Sequence, residues 1–187
     1  MDDPLEQEIR RLHDAGDMAG AATAGLEGYG PEILGFLVAT LRDEDAAGEV
    51  FAQLGEELWK SLPGFQWRCG FRTWIYTLAR HTSARFRRSP QNQPRRKLPL
   101  SQVSEVADRV RSRTLPHLRT EARDRFAELR RSLDPSDQAL FILRINRRLP
   151  WADIALIMDE PSARLRKRFQ LLKDQMRERA KRDGLLG

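Results

Sequence analysis

"LPWADIALIMDEPSARLRKRF", residues 149–169, changes character at its middle. Ile154, Ala155, Ile157 and Met158 give its first half a short apolar face, Pro161 interrupts it, and the second half is crowded with arginine and lysine. From Ser162 onward, Leu165, Phe169, Leu172 and Met176 recur at i, i+4, i+7 and i+11, which is one stripe of a helix. Arg164, Arg166, Lys167, Arg168, Gln170 and Lys173 lie off that stripe. Ser162 stands where a helix N-cap is expected. The spacing therefore predicts a short buried helix, a turn at "DEP", and a second helix that docks by one face and offers donors from the rest. This is the layout of a helix-turn-helix, in which the first helix steadies a second one in the DNA major groove. Arginine and lysine there contact phosphates, and arginine also pairs bidentately with guanine. Taken alone, the same segment also reads as an ordinary helical hairpin with a solvated cationic face.

The charge distribution favours a polyanion. The 187 residues carry a net +6, but residues 1–67 hold 4 Lys/Arg against 14 Asp/Glu, and residues 68–187 hold 29 against 13. A front of −10 thus precedes a body of +16. Cys69 is the single cysteine, so no intrachain disulfide forms and nothing calls for an oxidising compartment. The apolar run "ILGFLVATL" (residues 33–41) is too short to span a bilayer and follows no basic segment. A cytoplasmic protein with no membrane insertion is the expectation.

Upstream, the period is helical throughout and no β alternation occurs. Asp17 caps a segment with Met18, Ala22 and Leu26; Gly28 to Pro31 is expected to break it; Ile33, Leu34, Leu37, Val38 and Leu41 resume the period. Val50, Phe51, Leu54, Leu58 and Trp59 mark the next helix, which ends at Pro63 and Gly64. A fourth runs from near Phe71 to Arg87, with Trp74, Ile75, Leu78 and Ala79 toward the core. Asp43, Glu44 and Asp45 read as a helix N-terminal cluster rather than a catalytic pair.

Residues 89–120 contain Pro90, Pro94, Pro99 and Pro116 and suit a flexible linker, with at most a transient helix over "SQVSEVADRVRSR". Such a strap spans about 30 Å as a coil and roughly 100 Å when fully extended. Beyond it, Phe126, Leu129 and Leu133 mark a helix, and Asp134 with Pro135 starts another that carries Leu140, Leu143 and Ile145. The expected fold class is all-α: two small helical domains, 1–88 and 121–187, joined by the linker 89–120, with the helix-turn-helix in the second.

"PGFQWRCGFRTWIYTLARHTSARFRRS", residues 63–89, interleaves aromatics with cations, a mixture suited to unstacked bases and phosphates. Trp74, Ile75 and Leu78 read as core, whereas Trp67 and Arg68 sit in a loop beside Gly70. His13, His81 and His117 form no zinc spacing with Cys69, and no Walker loop, G-x-S-x-G or H-E-x-x-H occurs. Neither an enzyme nor a cofactor or metal is expected.

Four stretches together resemble bacterial extracytoplasmic-function sigma factors: "GDMAGAATAGLEGYGPEIL", the "DEDA…ELWKSLPGF" helix, "FRTWIYTLARH…RR", and "LDPSDQALFILRINRRLPWADIALIMDEPSARLRKRF". The likeness covers nearly the whole chain, in the family's order. It implies a first domain that binds the polymerase clamp and the −10 promoter element, and a second that binds the polymerase flap and the −35 element. It assigns promoter opening to Gln66, Trp67 and Arg68 and to Arg80, His81, Arg85, Arg87 and Arg88. Upstream recognition falls on Ser162, Arg164, Arg166, Lys167, Arg168 and Gln170, and polymerase contact on Glu49, Gln53, Glu56 and Glu57. Core RNA polymerase, promoter DNA and an anti-sigma factor are the implied partners. The chain departs from the family pattern at His81 and Arg85, where Asn and Asp are frequent, and at Arg148 and Asp159, where glycine is frequent. Two other readings remain: a stand-alone helix-turn-helix regulator, and a helical protein-interaction adaptor whose basic faces are only solvated.

Overall fold

Glu6 reaches 65 residues along the chain to accept hydrogen bonds from the backbone N–H groups of Phe71 and Arg72, both at 2.7 Å. Those N–H groups open a helix and have no partner inside it, so a carboxylate there satisfies two orphan donors and complements the helix dipole. The contact ties the first helix to the fourth. The computed structural model describes residues 3–88, 102–121 and 132–182, and among these all regular structure is helical. The chain divides into two compact units, Met1–Leu118 and Arg119–Gly187.

In the first unit α1 is Pro4–Asp14, α2 Met18–Leu41, α3 Glu44–Ser61 and α4 Phe71–Arg88, with a short 3-10 turn at Leu62–Gly64; α5, Gln102–Glu121, belongs to it as far as Leu118. Asp3, Asp17 and Asp43 each cap the helix that follows, accepting from Leu5, Gly20 and Ala46. Ile9, Leu26, Ile33, Leu34, Leu37, Phe51, Leu54, Leu58, Phe71, Ile75 and Tyr76 form the buried core. A bidentate pair between Arg72 and Glu32, at 2.7 Å for both bonds, adds a second tie between α2 and α4. The Tyr29 hydroxyl donates to Asp3 at 2.7 Å, and burial, that bond and the nearby Glu6 push its pKa well above the ordinary phenol value.

Two expectations fail here. The break at Gly28 to Pro31 does not occur, because α2 runs unbroken through Pro31. Pro31 removes one N–H, but the residue four positions earlier, Glu27, is exposed, so water can satisfy the freed carbonyl. The glycines serve as approach points rather than breaks. A Cβ on Gly25 would sit 2.5 Å from the Phe71 ring, one on Gly28 would meet Leu5, and one on Gly30 would lie 2.9 Å from Val110. That last contact carries the second correction: residues 102–118 belong to the first unit rather than to a linker. In α5, Val106, Ala107 and Val110 are buried, Arg111 lies over Gly48 of α3, and Arg109 pairs with Glu27 at 3.1 Å. Proline content hid this short apolar face. Residues 89–101 of the expected linker lie outside the described residues.

The second unit opens, where described, with Asp134 capping α6 (Pro135–Phe141) through the N–H groups of Ser136 and Asp137. A π-helical turn, Ile142–Asn146, follows, then α7 (Trp151–Met158) and α8 (Ser162–Arg182). Phe126 and Leu129, expected in an earlier helix, lie outside the described residues. Leu140, Leu143, Ile154, Ile157, Met158, Leu165 and Leu172 make the core, while Ile145 is exposed. Arg148 and Asp159 both adopt left-handed backbone, at φ 55° and 53°.

We expect Gly25→Ala to lower stability by up to about 2 kcal/mol: overpacking against Phe71 costs about 1–3 kcal/mol, and improved helix propensity returns roughly 1. Gly64→Ala, where an added methyl meets nothing within 4 Å, should stay within about 0.5 kcal/mol in the same urea titration.

Candidate nucleic-acid interface

α8 sorts its cations by what they touch. Its apolar stripe is docked: Leu165, Phe169 and Leu172 are buried and Met176 is half-buried. Arg168, on one flank of the stripe, donates to Asp137 of α6 at 2.6 Å and to Glu160 of the α7–α8 turn at 3.1 Å, with Asp134 at 3.9 Å. Its guanidinium is therefore paired inside the unit. Burial and the hydrogen bond shared with Asp134 raise the Asp137 carboxyl, outweighing Arg168. Burial pushes Asp134 upward too, but its bonds with Asp137 and the N–H groups of Asp137 and Ser136, together with Arg168, leave it below the ordinary value. Arg164 is exposed and pairs with Glu160 at 3.4 Å. Ser162 is the first helical residue rather than the N-cap, and its hydroxyl donates to the Trp151 carbonyl at 3.2 Å, joining the two helix starts.

On the opposite flank Arg166, Lys167 and Gln170 are exposed. At about 100° per residue they fall within a single arc of roughly 100°. Gln170 bonds Asp174 at 3.2 Å and accepts from Lys173 at 3.4 Å. The Arg166 guanidinium lies over the Trp151 ring, 5.9 Å from its centroid. Lys173 likewise sits over Phe169 at 5.9 Å. The outward face thus keeps Arg166, Lys167 and Gln170 together, and omits Arg168.

In the first unit the loop between α3 and α4 is held by Trp67. Its backbone is left-handed, φ 55°, a costly state for a bulky residue and one that persists where surrounding contacts over-determine it. Those contacts are present. The indole N–H donates to His13 Nδ1 at 3.4 Å, the ring meets Phe65 at 4.8 Å, and Arg10 lies over it at 5.4 Å. His13 Nε2 faces the Leu62 carbonyl at 3.1 Å. Both His13 bonds form together when Nε2 carries the proton and donates, leaving Nδ1 to accept. Phe65 stacks on Trp74 at 4.3 Å, which makes Trp74 half-buried loop support rather than deep core. Trp67 is thus a docked ring that shapes the loop, while Gln66 and Arg68 on either side are exposed.

α4 turns Arg80, His81, Arg85 and Arg88 into one arc of about 140°; His81, Arg85 and Arg88 are exposed and Arg80 is half-buried. Arg85 also pairs with Glu57 of α3 at 3.3 Å. Arg87 is drawn elsewhere: its guanidinium donates to the Thr40 carbonyl at the end of α2, and burial, then the nearby Arg42, lower its pKa. It satisfies a helix-end acceptor, a role its place in the basic run does not announce. On α3, Glu49, Gln53, Glu56 and Glu57 share one face at i, i+4, i+7 and i+8, with Lys60 paired to Glu56 at 3.4 Å. Sequence reasoning missed Glu6, Glu32 and His13, whose partners lie 40 to 66 residues away. The one available signal was their place within amphipathic helices.

Among the described residues no helix is long and apolar enough to cross a membrane. Comparison with protein-family models and with curated proteins returns no match.

Removing Arg168 leaves the part-buried Asp137 without its cation and Glu160 with the exposed Arg164 alone, so Arg168→Met should cost about 2–3 kcal/mol by chemical denaturation. Arg166→Met, exposed, should change stability by less than about 0.5 kcal/mol. Equal losses at both sites would contradict this division of roles.

Proposed function

We propose that the chain is an RNA polymerase sigma factor of the extracytoplasmic-function type, directing core polymerase to promoters and assisting their melting. The observation that carries this reading is the division of the α8 surface: Arg166, Lys167 and Gln170 face outward, directly after a short helix and a three-residue turn. In this reading α7 and α8 are a helix-turn-helix and the outward arc of α8 enters the major groove at the upstream promoter element. Lys167 contacts phosphate, and Arg166 and Gln170 address base edges. Arg168 supports that helix from behind.

The first unit then acts at the downstream element. Arg80, His81, Arg85 and Arg88 line the displaced strand's backbone, and Gln66 and Arg68 flank a loop that Trp67 holds in shape. Unstacking a base step costs a few kcal/mol, and capture of an extruded base beside the loop offsets part of it. The α3 face with Glu49, Gln53, Glu56 and Glu57 is the polymerase-facing surface. Each unit alone makes few DNA contacts. Polymerase that holds both makes the second contact effectively intramolecular, so the complex binds far more tightly than the free chain. An anti-sigma factor is the regulator this reading implies, and the cytoplasm its location.

Co-purification with core RNA polymerase tests the reading. The chain should bind core and, in that complex, retain promoter fragments with a steep inverse dependence on salt. The double variant Arg166→Ala/Lys167→Ala should lose about tenfold in fragment affinity, from two lost contacts of roughly 1 kcal/mol each or less, while core association persists. Absence of core binding, with sequence-selective DNA binding by the chain alone, would identify a stand-alone regulator instead.

A further inference from the structure

Among the cations on the outward arc of α8, Arg166 is set apart by what lies beneath it. Trp151, the first residue of α7, is half-buried and places its ring under two guanidiniums, with Arg144 at 5.0 Å and Arg166 at 5.9 Å from its centroid. The ring cannot drift. Phe169 packs edge-on against it at 5.6 Å, and the Trp151 carbonyl accepts from Ser162 at 3.2 Å. Arg144 is fixed in turn, since its Nη1 donates to the Leu149 carbonyl at 2.9 Å across the chain between the π-helical turn and α7. Three elements, the π-helical turn, α7 and α8, thus meet at one indole.

Arg166, unlike Arg144, keeps its donors for something else. Arg164 has Glu160 and Arg168 has Asp137 and Glu160, whereas Arg166 makes no ion pair among the described residues and lies over the ring, 5.9 Å from its centroid. Cation–π attraction to an aromatic face restricts where the guanidinium sits while leaving its N–H fork open, and an arginine so restricted loses less rotamer freedom when it binds. A bidentate contact with a guanine edge requires that fork in one plane. Lys167, next in sequence, has no such platform among the contacts described and behaves as a mobile point charge suited to phosphate.

We infer that Trp151 is a specificity-determining positioning residue: its ring preorients Arg166 so that the second unit prefers a G·C pair at one position of its DNA site. The inference rests on the reading of α8 as a DNA-binding helix. It adds that base preference depends on a residue of the preceding helix that itself contacts no base.

The test is selection from a randomised duplex library with the full chain bound to core RNA polymerase, comparing wild type, Arg166→Ala, Trp151→Leu and Trp151→Phe. Wild type should enrich a G·C pair at one position, and Arg166→Ala should abolish that preference. Trp151→Leu should weaken it roughly two- to fivefold at that position alone, with the salt slope and the other positions unchanged. Trp151→Phe should restore most of it, because a smaller aromatic face remains. If Arg166→Ala erases the preference and Trp151→Leu leaves it intact, the positioning role is wrong and the DNA-binding reading stands. If wild type enriches no sequence, or Arg166→Ala changes nothing, the reading of α8 fails and the inference with it. Should Trp151→Leu not fold, Trp151→Met/Arg166→Lys and its two single variants complete a cycle, since methionine fills volume there without an aromatic face. Additive effects in that cycle on the discrimination at the position would overturn the proposal.

Discussion

A helix cannot offer a side chain that it has already spent, and in the second unit Arg168 decides how α8 is spent. Its guanidinium gathers Asp137 from α6 and Glu160 from the turn before α8, so three segments separated in sequence meet on one cation. Attraction between such groups is worth most where water is partly excluded, and Arg168 retains only 27% of its side-chain exposure. With that flank neutralised, Arg164 paired with Glu160 and the Leu165–Phe169–Leu172 stripe docked, one arc of the first turns carries side chains that make no ion pair among the described residues. Arg166, Lys167 and Gln170 occupy it.

The first unit solves a related problem with glycine and carboxylate instead of arginine. α2 is crossed closely by Phe71, Leu5 and Val110 at three glycines, so side chains from α4, α1 and α5 reach its backbone. Glu6 and Glu32 then fix α4 at its N-terminus, by capping and by the bidentate pair with Arg72. With its buried face fixed in this way, α4 turns Arg80, His81, Arg85 and Arg88 toward the opposite side. The strained Trp67 loop leads directly into that helix, which is why its His13 and Phe65 contacts bear on the basic face rather than on a remote part of the fold.

Much of this was legible in the sequence wherever a signal was local. Asp17, Asp43 and Asp134 act as caps, the apolar periods mark α3, α4, α7 and α8, and the turn at Asp159 to Pro161 falls where Pro161 places it. Local signals misled where composition carries two meanings. Gly28 to Pro31 has the chemistry of a break, yet glycine also lets a neighbouring helix approach, and only the neighbours distinguish the two. Prolines in residues 89–120 mark a linker, but Val106, Ala107 and Val110 at helical spacing were enough to bury α5. The candidate sites divide the same way. Arg166 and Arg168 are two residues apart in one basic run, and what separates them is Asp137, 31 residues earlier in the chain. Charge density can be read from a sequence, whereas the partner that consumes a given charge is a property of the fold.

The central claim is that these two sets of cations serve transcription only through a polymerase that carries both. Run-off transcription with purified core RNA polymerase on a library of genomic fragments addresses it most directly. The account predicts discrete transcripts that require the added chain, arise from few fragments and share an upstream and a downstream motif. Core polymerase that gains no new start sites from the chain, on fragments the chain alone binds selectively, would contradict it.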